Sequence, residues 1–476
     1  MIVDELSRMR IELEQLKEKE QNLQEALSRV RVEIEAYSSR IEHIAWAKSP
    51  INSLPSEIIS YVLQLAALSW GDNCDVKIRD LQLVSRYWRD TIRNSPNFWS
   101  SIHLHSSTNM SLVKTHVTRS NQYPLDVSIE FWVDDDQITT YIDSIISHVH
   151  RWRTLKIGGN DRCFQLVLDK INHLKFPSLT HAAMHAHHSY PIQYPTFLKP
   201  ENSPSLETLD LVCLIPMGEF SLGQKNTDLS LVLSDDVRRS GPLTFPSLLS
   251  SQKLTTLDLT YSRCPAVPPN SISLPLLNSL TLHSNHPREL LTAMVAPRLS
   301  YFSLDGAIAS MSTTFHGLES KFCSVRHLVL RLGYFFPSVT DIWSLSLAFP
   351  NVYHVELCKI QQMDDFFAGN ADGSCAVDRW RSLQSLTFHQ IKIYSTPLFK
   401  SWLYRWKLAG LPMLRVKFVD CTFHSHCQDE GNYSSPRSLL YLHNQLQGAC
   451  ILDIIDSTLN TIQQVLSQTL PPSPLV

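Results

Sequence analysis

KLTTLDLTYSRCPAVPPNSISLPLLNSLTL, from Lys253 to Leu282, says the same short phrase twice. Leu254-x-x-Leu257-x-Leu259 is answered 23 positions later by Leu277-x-x-Leu280-x-Leu282. Leucines at alternate positions give one apolar face of a β-strand, and the residues between them, Asp258 and Thr281, point to the other face. A strand recurring at this interval is the mark of a stacked repeat array, in which each unit adds one strand to a parallel sheet.

Working outward, SLETLDL (Ser205 to Leu211), RLSYFSL ending at Leu304, VRHLVL at Leu330, NVYHVEL at Leu357 and SLQSLTF at Phe388 repeat the phrase. RWRTLKI at Ile157 and HAAM near Met184 are weaker copies, and PMLRVKF near Phe418 is out of register by a residue. The lead residues Leu254, Leu277, Leu299, Val325, Val352 and Leu383 are 22 to 31 positions apart. LSLVL at Leu229 to Leu233 reads as a degraded copy, closed by a turn at Gly241-Pro242. A set of unrelated buried strands in an ordinary α/β domain is the alternative, which the recurring FPSL, FPNV, LPLL and APRL lead-ins oppose. The copies resemble irregular leucine-rich repeats, with Asn285 as the clear ladder asparagine. In such a solenoid Lys156, Asp210, Asp258, Thr281, Ser303, Val329, Glu356 and Thr387 share one concave strip, with Thr260 and His283 beside it. Asp210, Asp258, Thr281 and Glu356 are the residues expected to hold a target.

Upstream lies INSLPSEIISYVLQLAALSWGDNCDVKIRDLQLVSRYWRDTIRNSPNFWSSIHL, Ile51 to Leu104. Asn52 or Ser53 can cap a helix that Pro55 begins, since proline's missing N–H is harmless in a first turn. Ile58, Val62, Leu65 and Ala66 share a face of that helix; Ser69 to Asp80 reads as a polar insert. So small a module has too little core to hide every large side chain, so part of this surface is expected to bury against another protein. The alternative is that these residues only fill a helical bundle core. The Leu-Pro opening, the Leu-Val-Ser-x-x-Trp-Arg block and the Pro-x-x-Trp close resemble the F-box. The resemblance implies docking onto a Skp-type adaptor, and through it a cullin, by Leu54, Pro55, Ile58, Leu63, Leu83, Val84, Trp88 and Trp99.

Between Ile2 and Ile44 apolar residues alternate in steps of three and four. With Leu6 at a, the a positions are Leu6, Leu13, Glu20, Leu27, Ile34 and Ile41, and the d positions run from Ile2 through Met9, Leu16, Leu23, Val30 and Tyr37 to Ile44. Such a seam, ended by Pro50, reads as a coiled coil. Glu5 would face Arg10 and Glu12 would face Lys17 of a second chain, which predicts a parallel homodimer. Glu20 is the misfit, repelling itself in a homodimer or favouring a basic partner helix. A helix folded back on its own module is the alternative.

A formal charge of −3 and a pI near 6.7 give no global reason to expect nucleic-acid binding. No run of about 18 apolar residues offers a membrane span, and no signal-like segment opens the chain. The ten cysteines show no framework of spacings, so free thiols and a cytoplasmic or nuclear setting are expected. Phosphate-loop, zincin and nucleophile-elbow motifs are missing, and neither cofactor nor metal is expected. Cys421, His424, His426 and Cys427 are too crowded for a usual zinc site. His181, His185, His187 and His188 are expected in a solvated loop, and Asp134 to Asp136 in a solvated turn.

The expected fold class is α + α/β: a coiled-coil helix over 1–48, a small F-box-like helical module over 49–104, and an irregular leucine-rich-repeat solenoid with a parallel sheet over 105–470. The function implied is the substrate receptor of a Skp–cullin–F-box ubiquitin ligase, not an enzyme, with an unidentified protein target. A non-enzymatic oligomeric scaffold is the second reading, and a metal-dependent enzyme using the His/Cys clusters the third.

Overall fold

The structure is a computed structural model that describes residues 2–48, 50–68, 74–131, 137–193, 195–217, 227–232, 253–261, 267–333, 338–360, 363–369, 374–393, 396–423, 446 and 449–455. The chain divides into two compact units. The first comprises Met1–Ser100 with Thr115–Tyr123, and the second Ser101–Lys114 with Pro124–Val476.

The first unit is helical: α1 (Ile2–Lys48), α2 (Ser56–Leu68), α3 (Cys74–Val84) and α4 (Arg86–Asn94), with single 3-10 turns at Pro50–Ser53 and Pro96–Trp99. Helix α2 starts just after Pro55, whose carbonyl accepts from Ile58 and Ile59 N–H. Much of the expected polar insert is helix, since α3 begins at Cys74. Ile59, Leu63, Ala67, Ile78, Leu81, Ile92, Phe98 and Trp99 form the core of α2 to α4. Within it the indole of Trp99 donates to the Ile92 carbonyl at 2.9 Å, meets the His116 ring edge-on, and lies under the Arg119 guanidinium.

The second unit is organised by one sheet of fourteen strands: β1 (Ser101–Leu104), β2 (Leu125–Phe131), β3 (Trp152–Gly159), β4 (His181–Gln193), β5 (Thr208–Met217), β6 (Asp228–Val232) and β7 (Thr256–Thr260). It continues with β8 (Ser279–His283), β9 (Tyr301–Asp305), β10 (His327–Arg331), β11 (His354–Cys358), β12 (Ser385–His389), β13 (Arg415–Val419) and β14 (Ile451–Ile455). Each lies beside the next in chain order and every pairing is parallel. Ser101–Leu104, at the end of the stretch read as helical module, is thus the first strand. The run at Leu229 also takes its place, as β6 between β5 and β7. In the last full copy the strand keeps register, Phe388 opposite Phe418, but Leu414 takes the buried lead position and Met413 is exposed.

Return segments carry short helices and turns, and the core fills the space between them and the sheet. Leu257, Leu259, Leu280, Leu282, Leu328, Leu330, Leu386 and Phe388 are fully buried. Phe302, Phe322 and Phe349 stack behind β9, with ring centroids 5.1 to 6.1 Å apart. Two carboxylates brace these returns. Asp341 joins a capping box with Ser338 at the start of the helix Val339–Ala348 and accepts from Ser310 Oγ and Ser312 N–H of the preceding return. Asp364 accepts from Leu398 and Phe399 N–H at the start of the helix Pro397–Leu408. Each satisfies N–H groups that a helix start leaves open, at the end where negative charge is favoured.

Candidate functional sites

The local chemistry of the Leu-Val-Ser-x-x-Trp-Arg block explains a surface. Ser85 is extended and its Oγ accepts from Trp88 N–H at 3.1 Å, so it ends α3 and caps α4 in one residue. The Arg89 side chain donates to the Gln82 carbonyl at 3.1 Å and ties the corner back. Leu83 and Val84, just before that corner, are left 71% and 61% exposed. On α2 the core side carries Ile59, Leu63 and Ala67. Ile58, Val62 and Leu65 face away and are exposed, together with Leu54 just ahead of the helix.

The eight expected docking residues therefore divide. Leu54, Pro55, Ile58, Leu83 and Val84 are exposed, and Trp88 is half-buried against the core. Leu63 and Trp99 are buried and belong to the core of the helices. Periodicity marks an apolar face without saying what covers it.

In the sheet, hydrogen-bond register puts Lys156, Ala183, Asp210, Ser230, Asp258, Thr281, Ser303, Val329, Glu356, Thr387 and Lys417 in one row from β3 to β13. At the usual strand spacing Asp210 and Asp258 are about 10 Å apart and Glu356 about 19 Å further on. The row is not uniformly open. Ser303 accepts from Arg331 at 3.1 Å and is buried, as is Val329 next to it. Asp210, Asp258, Thr281 and Glu356 remain partly exposed.

Histidines answer the carboxylates in the middle of the sheet. His185 Nε2 lies 3.1 Å from Asp210, and His327 Nε2 lies 2.9 Å from Glu356, whose other oxygen is 3.6 Å from His389. His283 stands between Asp258 at 3.6 Å and Asp305 at 3.5 Å. Toward the two ends lysine and arginine take over, with Lys156 on Glu130, Arg153 on Asp126 and Arg415 on Asp453. Burial raises the Asp210 carboxyl, but hydrogen bonds from His185 and Ser230 outweigh it and the net shift is downward. The hydrogen bond from His327 holds Glu356 below its ordinary value. Burial raises Asp258 and lowers His354.

These histidines correct the sequence expectation for one cluster. His181 and His185 are on strand β4, not in a loop, and a period of two puts them on one face. The partner of His185 comes from the next strand, 25 positions on, which no local reading of the histidine run could supply. The side chains of His187 and His188 lie outside the described residues, as do Asp134 to Asp136, Gly241-Pro242 and His424, His426 and Cys427 of the Cys/His run. Among the described residues no three His, Cys, Asp or Glu groups come together as metal ligands.

A cleft of about 350 Å³ opens beside the row, lined by Asp305, Arg331, Glu356, Cys358 and His389 among others. Burial pushes the Cys358 thiol up to about 11, so it is a thiol and not a nucleophilic thiolate at neutral pH. No described helix is long and apolar enough to cross a membrane. In comparison with known proteins, no family model and no curated sequence matches the chain.

Proposed function

We propose that the protein is the substrate receptor of a Skp–cullin–F-box ubiquitin ligase. The first unit serves as an F-box that docks on a Skp-type adaptor, and the second is an irregular leucine-rich-repeat solenoid that holds a protein target. The observation carrying this reading is the exposed apolar surface of Leu54, Ile58, Val62, Leu65, Leu83 and Val84 beside a core that is already filled. Exposed apolar side chains in this number on a small module favour burial against another protein. Leu63 and Trp99 stiffen that surface from within.

The half-buried row of Asp210, Asp258, Thr281 and Glu356 supports the other half of the reading. Its carboxylates are partly exposed, so they suit a target segment bearing lysine or arginine. Such a receptor contributes effective concentration and orientation, and needs no reacting side chain of its own. Affinity purification of the full chain, wild type against Ile58→Asp, tests it. An adaptor and cullin that copurify with the wild type and not with the variant are expected. Equal recovery with both, or recovery with neither, overturns the reading. The second reading, an oligomeric scaffold with no adaptor, is favoured by the exposed seam of α1 and takes over in that case.

A further inference from the structure

Helix α1 spans about 70 Å at 1.5 Å per residue. Every a and d residue of its seam from Met9 to Ile44 whose side chain is described is exposed, the apolar ones to at least 48%. The groove along its middle, between Leu16 and Arg31, is lined among the described residues by α1's own side chains, Leu23 and Leu27 included. An isolated helix of mixed polarity gains little by itself in water, so the seam's apolar residues call for a partner helix.

We propose that the occupant of this seam is a second copy of the chain, aligned parallel and in register. The flanking charges carry the choice. In that alignment the g-to-e neighbours are Glu5 with Arg10, Glu12 with Lys17, Lys19 with Gln24, Ala26 with Arg31 and Glu33 with Ser38. Two of these attract and none repels. Turning one helix round brings like charges together in both alignments that keep nearly the whole seam. One sets Glu12 against Glu33 and Arg10 against Arg31, against a single attraction of Glu5 to Arg40. The other, shifted by a heptad, sets Lys17 against Arg31, although it also brings Glu12 to Arg40 and Lys19 to Glu33. Only the parallel pair is free of repulsion along its flanks.

Glu20 then sets the strength of the pair. It meets its own copy at an a layer, flanked on the partner by Lys19, which precedes each Glu20 at g. The lysine offsets part of the repulsion, so the layer weakens the dimer without forbidding it and preserves register, since any shift by heptads moves Glu20 against leucine or isoleucine. In each chain Glu20 is exposed and, among the described residues, accepts a long contact from Gln24, at 3.4 Å. The proposal stands independently of the receptor reading; if both hold, each assembly carries two docking modules and two target faces, and gains avidity for a repeated target.

Sedimentation of the full chain over a micromolar range, with circular dichroism to confirm folding, tests the pairing. A concentration-dependent dimer is expected, abolished by Leu16→Asp with Leu23→Asp and tightened several-fold by Glu20→Leu. Orientation is read with Met9→Cys, because the first native cysteine is Cys74. Under mild oxidation this variant should form a new reducible dimer. A wild type that stays monomeric, a dimer unmoved by the Leu16/Leu23 variant, or a cross-link that needs Met9→Cys on one chain and Ile41→Cys on the other each overturns the proposal.

Discussion

His327 on β10 points its Nε2 at Glu356 Oε1 on β11, 2.9 Å away, although the residue opposite Glu356 in the register is Val329. The contact is therefore diagonal, reaching one step along the strand face. The same ring meets Tyr301 edge-on at 5.0 Å and His354 at 5.7 Å. One carboxylate is thus fixed from both sides, by His327 and by His389, at the middle of the polar face.

This arrangement makes the sheet sensitive to acid. His354 is lowered from its ordinary 6.5 by burial, so below about pH 6.5 the unfolded chain takes up a proton before the folded one does. Glu356 is lowered from 4.5, chiefly by the His327 hydrogen bond, so a second loss begins below that value. Both shifts have the same sign: the stability that these two groups contribute is fully present above pH 6.5 and declines as pH falls through the two folded-state values. Denaturant titrations from pH 7.5 to pH 3 should show it, with His354→Gln flattening the upper part of the decline and Glu356→Gln the lower.

Asp341 is buried and accepts four hydrogen bonds from two return segments. Replacing it by alanine leaves Ser338 and Ser312 N–H without an acceptor and opens the capping box, of which only the Ser338 cap remains. A loss of about 2–3 kcal/mol in unfolding free energy is expected, at the upper end for one cap. Ser338→Ala, which removes one of the donors, should cost about half of that.

Leu63 and Ile58 are both apolar and five positions apart on α2, yet they should behave as opposites. Leu63→Ala opens a cavity in the filled core and should cost about 2–5 kcal/mol in the unfolding of the first unit. Ile58→Ala, at a position 48% exposed, should shift stability by no more than about 0.5 kcal/mol and act on partner binding alone. Thermal unfolding of both variants beside the wild type separates the two.

Much of the sheet could be read from the chain because two local signals agree there. At Leu257/Leu259 and Leu280/Leu282 the alternation marks a strand, and the interval between copies marks stacking. β2 shows where the second signal fails: LDVSIEF alternates as cleanly, buried at Leu125, Val127, Ile129 and Phe131, but lacks a lead-in phrase that would tie it to the others. β1 was hidden for the same reason, four residues directly behind the Pro-x-x-Trp turn. Side-chain partners were legible only in part. Asp210 and Glu356 could be placed on a face by period, but their histidines come from neighbouring strands 25 and 29 positions away. Nor could helix periodicity distinguish Leu63, which looks inward, from Ile58, which looks out.

Changing Asp210, Asp258 and Glu356 together to lysine should abolish capture of the target and leave adaptor binding unchanged, since the two surfaces belong to different units. The neutral set, Asn, Asn and Gln, should weaken capture to an intermediate degree if charge carries the recognition. Recovery of the target with each variant, set against adaptor recovery from the same sample, measures both. Equal target recovery from all three proteins contradicts the role given to this row.

The receptor function proposed above requires that the first unit dock on a Skp-type adaptor through its exposed apolar surface. Titration calorimetry of the purified full chain with a purified adaptor tests it most directly, with Leu54→Ala/Pro55→Ala and Leu83→Asp as paired variants of confirmed fold. Saturable one-to-one binding per chain is expected, with a negative heat-capacity change from apolar burial, strongly weakened in both variants. Absence of binding by the folded wild type, or binding that neither variant disturbs, would contradict it.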